Sequence, residues 1–327
     1  MRTFYRLLGV ALIAITAANF VWFALTYWAY LTTRSVISTS VLAGIWLVVT
    51  ALSSNWFGSI IDRYKKKQAM MGSSIATLLL FASGFLLFRF SPEAVFATVA
   101  SLRFWIFAII LLMGVIAGSM YSIAVPTLVA FLVPEDQHDR ANGLFGTVMG
   151  TSFVITSAAS GLALAFGGMS FVLLVAIIFT LFSAAMLWTI PIPETTSNNP
   201  VEGNPERIGI RGTIVAMKAI PGLFALIFFT TINNFLGGAF VALMDAYGLS
   251  LVTVQVWGLM WAFLSFSFIL GGLYISKKGL GSDPLRKLKW ISAREALRLF
   301  PCKRQKKWVD LSYTTRGSTL KLYRMSG

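Results

Sequence analysis

The chain has 327 residues, 57% of them apolar and only 12% charged, with a mean hydropathy of +0.77. A soluble domain carries roughly a quarter of its residues as charge, so this composition excludes a water-soluble globule. One cysteine, Cys302, excludes an internal disulfide or a multi-cysteine metal site, and a net charge of +15 is too large to be spread evenly over so apolar a chain.

In chain order, eight apolar stretches approach or exceed the length needed to cross a bilayer: about 8–30, 36–57, 69–88, 104–126, 143–166, 170–190, 221–244 and 252–275. Uninterrupted runs of ~20 residues are too long for barrel strands, and lipid leaves no partner for unpaired backbone groups, so each stretch is expected as a helix. The fold class is therefore all-α, a polytopic membrane protein. The first stretch follows Arg2 and Arg6 as a leader peptide would, but it runs from Leu7 to Tyr30, too long for cleavage. Trp28, Tyr30, Trp56, Trp105, Trp188 and Tyr247 fall near the ends of stretches, as interfacial aromatics do. With the N-terminus inside, ten Lys and Arg fall in inner segments against Arg34, Arg89 and Arg103 outside, the C-terminal tail not counted. That bias places both ends in the cytoplasm of a multi-pass protein of the cell membrane.

Between the second and third stretches stands Gly58-Ser-Ile-Ile-Asp62-Arg63-Tyr64-Lys65-Lys66-Lys67. This segment resembles the loop after the second span of the major facilitator superfamily, written G-x-x-x-D-R-x-G-R-K; Lys65 replaces the family's second glycine. Its cations fix topology at a helix end, whether or not the loop gates transport. The resemblance implies a bundle of twelve spans in two halves, of which about eight are present. It also implies that Asp62 meets the start of a helix from the other half, with Arg63 and Lys67 as charge partners in an inner gate. Gly58 would permit close helix approach.

The fourth stretch continues the likeness through Gly114, Gly118 and Pro126, the last placed to kink it. Many proton-coupled drug exporters carry an arginine four residues before that first glycine; here the position is Ile110. In the following loop Asp139 precedes the fifth span and is placed to cap it, and His138 has no metal-ligand partner. The fifth stretch presents Gly143, Gly146, Gly150, Ser157, Ser160 and Gly161, small residues of the kind close helix packing needs. Residues 155–161 resemble a degraded antiporter motif, G-P-x-x-G-G, and plain packing explains them equally well.

No Asp, Glu, Lys or Arg lies well inside a stretch, so a proton-carrying carboxylate has to sit at an end: Asp62, Glu93 or Asp245. The main mid-membrane polar residues are Asn19, Asn233 and Asn234, and in the resembled fold those spans line a central cavity. With Trp22 they form the candidate substrate path; Asn contacts across a helix interface are the other reading. Trp257 and Trp261, four apart, are expected against a neighbouring helix.

The expected organisation is a six-span bundle at 1–192, a cytoplasmic linker at 193–220 rich in turn formers, two spans of a second bundle at 221–276, and a basic tail at 277–327. The tail holds 14 Lys and Arg against three acids, which is +11 of the net charge. A reading-frame change after about Leu288 would produce it, as would a genuine lipid-binding tail.

The expected function is secondary active transport: export of small amphipathic or drug-like molecules by alternating access coupled to protons, impaired where the second bundle is incomplete. A membrane interaction or regulatory protein acting through its basic tail is the alternative. The partners are a small-molecule substrate, the lipid bilayer and the proton, with no specific nucleic acid. No enzyme constellation, metal site or cofactor cradle stands out.

Overall fold

The computed structural model describes residues 2–191 and 223–278. The expected linker at 193–220 and the tail beyond Lys278 lie outside the described residues. Eight helices are described: α1 (Arg2–Thr33), α2 (Val36–Arg63), α3 (Lys66–Arg89), α4 (Leu102–Gly118), α5 (Met120–Leu132), α6 (His138–Thr189), α7 (Leu223–Leu251) and α8 (Val254–Lys278). Two short 3₁₀ turns, Glu93–Phe96 and Glu135–Gln137, lie in the connections. No strand occurs among the described residues, as the all-α reading expects.

Six stretches among the described residues are long and apolar enough to cross a membrane, and one of these covers two spans. At 52 residues α6 would extend about 78 Å as a straight rod, more than twice the hydrocarbon thickness. It breaks at Gly168, whose φ of 64° and ψ of −172° leave the helical region. The residues before and after it are the expected fifth and sixth spans.

Their course follows from contacts at the two ends. Gly168 lines one cavity with Thr32 and Phe88, at the far ends of α1 and α3. The sixth span's last carbonyl, on Ile190, is bonded by Lys67 at the start of α3. The chain therefore reverses direction at Gly168.

The central rod is α1, with 78% of its most apolar window buried against 22% for α2 and for α8. It packs on α2, α4, α5, α6 and α7. Leu7, Val10, Val21 and Leu25 are fully buried along it. Elsewhere apolar side chains face outward, Leu52, Phe166 and Phe263 among them, as lipid contact requires. The link from α1 to α2 is short: Arg34 has φ 51°, and the Ser35 hydroxyl oxygen accepts the Ile37 N–H at 3.2 Å as an N-cap.

Three expectations need correction. Trp28 is not an interfacial residue; it is buried, stacked on Phe104 at 5.6 Å and edge-on to Phe107 at 5.0 Å. Exposure is kept by Trp56, Trp188 and Tyr247. The fourth span is interrupted at Ser119, two turns before Pro126, where Ser122 N–H bonds back to the Ser119 carbonyl in the tighter i→i+3 pattern. Pro126 itself lies inside α5. Asp139 lies in the first turn of α6, while Gln137 occupies the cap position without a side-chain cap.

The small face of the fifth span has a defined partner. A Cβ added to Gly143 would stand 2.5 Å from the Ser276 nitrogen, one on Gly150 2.8 Å from the Ile269 nitrogen, and one on Gly161 2.6 Å from the Val254 carbonyl oxygen. The pairing descends on one helix as it climbs on the other, so the fifth span and α8 pack antiparallel, backbone against backbone. Ser160 Oγ and Asn19 tie the other side of the fifth span to α1.

Candidate functional site

Near the end of α7, Asp245 is buried at 6% exposure. The indole N–H groups of Trp257 and Trp261 donate to its Oδ1, at 3.0 and 2.9 Å. Local sequence builds this arrangement. The two tryptophans are one helical turn apart and so share a face of α8. Only Val252 and Thr253 separate α7 from α8, and this tight hairpin sets Asp245 level with that face. Gly248, on the same side of α7 as Asp245, leaves room for the Trp257 ring, which any Cβ there would strike.

From α1, Thr26 lies beside the same carboxylate, its hydroxyl donating to the Phe23 carbonyl at 3.1 Å. The Tyr27 hydroxyl is buried nearby and has no hydrogen-bond partner among the described residues. Aromatic rings close the rest. Phe23 lies 6.0 Å from Trp261 and 5.8 Å from Phe153, and Phe240 lies 6.3 Å from Trp261. Four rods meet here: α1, the fifth span, α7 and α8.

Among the described residues no Lys or Arg pairs with Asp245. Removing a carboxylate from water is costly unless donors or a proton compensate. Two indole donors compensate in part, each about 1.5–3 kcal/mol when the acceptor is charged. A carboxyl group so placed can take up and release a proton as its surroundings close and open, and the strength of the indole bonds changes with its charge.

The expected site residues are distributed differently. Asn19 does not face an open path; its Nδ2 donates to Ser152 Oγ at 3.1 Å, joining α1 to the fifth span. Trp22 is buried and stacked on Trp46 of α2 at 4.8 Å. Asn234 is exposed on α7, its amide bonded to the Thr230 carbonyl one turn earlier. The side chains of Asn233, Asp62, Arg63 and Glu93 lie outside what is described. In the loop after α2, Lys67 reaches not a carboxylate but the end of the sixth span, donating to the carbonyls of Trp188 and Ile190 at 2.8 Å each. A cation there meets the negative end of a helix and carbonyls with no partner of their own. Among the described residues nothing approaches Gly58 closely, since a Cβ there would meet no atom within 4 Å.

Sequence reading had Asp245 as one of three end-of-span carboxylates and the tryptophans only as packing residues. The signal that joins them was present: a hairpin of two residues between an Asp and a Trp pair at similar distances from the turn.

A family description, Major Facilitator Superfamily, matches residues 7–293, most of the chain. No curated protein and no solved structure matches. The matched region takes in all of α2 to α8 and the loop carrying Gly58, Asp62, Arg63 and Lys67. The chain belongs to the major facilitator superfamily of membrane transporters.

Proposed function

We propose that this transporter is secondary active and exports small amphipathic, drug-like molecules by alternating access, exchanging them for protons at Asp245. The observation that carries this reading is a carboxylate at 6% exposure whose donors are two indoles of α8, with no cation beside it among the described residues. When charged, Asp245 holds Trp257 and Trp261 by bonds roughly twice as strong as neutral ones. When protonated it holds them more weakly, and α7 loosens from α8. One proton thereby shifts the balance between two arrangements of the bundle. Phe23, Phe153 and Phe240 supply apolar surface for the cargo beside this switch.

The Lys and Arg bias supports an orientation in the cell membrane with both ends cytoplasmic. In that orientation α1 runs outward, so Thr26, Tyr27 and Asp245 lie in the outer half. The loop with Gly58, Asp62, Arg63 and Lys67 forms the inner gate, and Asn233 and Asn234 of α7 border the path, while Asn19 and Trp22 shape it by packing.

The test is flux in proteoliposomes holding the purified chain, with an imposed pH gradient and a lipophilic fluorescent dye as cargo. Weak gradient-driven dye movement is expected, in line with the impairment expected from the sequence, and Asp245→Asn is expected to abolish its dependence on the gradient while the protein stays folded. Equal gradient-driven flux in the variant would overturn the assignment of Asp245, and dye movement indifferent to the gradient in the unaltered chain would overturn proton exchange. The alternative, an interaction protein acting through its tail, rests on residues beyond Lys278, outside the described residues.

A further inference from the structure

Tyr27 of α1 is fully buried, yet its hydroxyl has no hydrogen-bond partner among the described residues. Tyr121, equally buried, shows the usual arrangement: its hydroxyl lies 2.8 Å from Ser74 Oγ. A buried threonine can satisfy itself on its own helix, as Thr156 does on the Ser152 carbonyl at 2.7 Å. A phenol at the end of a rigid ring cannot, so Tyr27 depends on another element. A hydroxyl kept dry and unpaired costs free energy, which calls for a use in another arrangement of the bundle.

Its surroundings name that use. Tyr27 stands one turn after Phe23 on the same face of α1, their ring centres 5.9 Å apart, and Phe23 lies 6.0 Å from Trp261. The hydroxyl is near enough to Asp245 to sense the charge of the carboxylate. The groups that act on or beside that carboxyl are Trp257 and Trp261 of α8 and Thr26 and Tyr27 of α1; none is a cation or a second carboxylate. Indole N–H groups only donate, which suits a charged carboxylate, since it only accepts. Once protonated, the same group carries an O–H that needs an acceptor, and the indoles offer none. Thr26 already spends its hydrogen on the Phe23 carbonyl. The Tyr27 oxygen is uncommitted.

We propose that the Tyr27 hydroxyl is the acceptor for protonated Asp245. The proton settles on the carboxyl oxygen that the indoles do not hold, and the new O–H donates to Tyr27 Oη. The proton stays on Asp245, and the indole bonds to the other oxygen weaken. Protonation thus shifts the attachment of α7 from α8 toward α1, giving the switch a direction. Tyr27 is a positioning residue, and its assignment rests on Asp245 being the proton site.

The experiment takes infrared difference spectra of the purified whole chain between an acidic and an alkaline buffer. The C=O band of a protonated carboxyl is assigned to Asp245 by its loss in Asp245→Asn. In Tyr27→Phe that band is expected to persist and move to higher wavenumber, because donating an O–H···O bond softens the carbonyl of the acid. Melting of Tyr27→Phe in the alkaline buffer is expected to be unchanged or higher, since its hydroxyl has no bond to lose there. In the unaltered chain with ring-deuterated tyrosine, one tyrosine C–O band should move with the same protonation and stay still in Asp245→Asn. That measurement needs no variant of Tyr27. The proposal is overturned by an unmoved carboxyl band in Tyr27→Phe, by a shift in Thr26→Val in its place, by lower melting of Tyr27→Phe, or by a tyrosine band that never moves. An unmoved carboxyl band leaves Asp245 as the proton site and removes only Tyr27. Absence of any band that depends on Asp245 overturns both.

Discussion

The ε-ammonium of Lys67 and the carbonyl of Ile190 are 123 positions apart in the chain and 2.8 Å apart in space. With a second bond to the Trp188 carbonyl, one cation closes one edge of the six-span block. Lys67→Gln is expected to free these carbonyls and cost about 0.5–2 kcal/mol, the range for a cation at a helix C-terminus. Hydrogen exchange should quicken across residues 186–190 and not in α4. Unchanged protection there would show that the clasp contributes nothing.

Asp245 supplies a second expectation. Replacing Trp261 by Phe keeps most of the aromatic packing and removes one donor to Oδ1. A loss of about 1.5–3 kcal/mol is expected from a hydrogen bond to a charged acceptor. In Asp245→Asn the same Trp261→Phe change should cost less, because the bond is then between neutral groups. The comparison is a double-mutant cycle of thermal stability in detergent. Equal costs in both backgrounds would show that Asp245 carries no charge in the resting protein.

The glycines divide sharply. Gly143→Val forces the α8 backbone at Ser276 away and is expected to destabilise by roughly 1–3 kcal/mol, as overpacking does. Gly58→Ala meets open space and is expected to be neutral or to stabilise by up to about 1 kcal/mol through helix propensity. Melting of the two variants side by side decides the matter, and a larger loss at Gly58 would place the tight seam elsewhere.

Trp28 and Trp188 make a further contrast. Trp28→Ala empties a site ringed by Phe88, Phe96, Phe104 and Phe107 and should cost about 3–5 kcal/mol. Trp188→Ala, at a position 74% exposed, should change melting far less.

Much of this architecture was legible in the sequence, because hydrophobic length alone marks a span and lipid permits little besides helices. The fifth span's small residues announced a close partner, though nothing in them named α8. Proximity to the end of a stretch does not place Trp28 at the interface: α1 continues to Thr33, and rings from α3, α4 and the 3₁₀ turn between them surround it. For Asn19 the sequence leaves both a cavity-facing role and a contact across a helix interface open, because helix rotation is undetermined in a single sequence; Asn19 meets the fifth span and Trp22 stacks on α2. Asp245 stood out only as an end-of-span acid, since its burial depends on two indoles and a threonine from other helices.

Gly168 turns the chain between the fifth and sixth spans with a single non-helical residue. Two rods joined so tightly cannot slip lengthwise past one another. Any tilt imposed on the fifth through its glycine seam is passed to the sixth as through a lever, and arrives at the end that Lys67 pins.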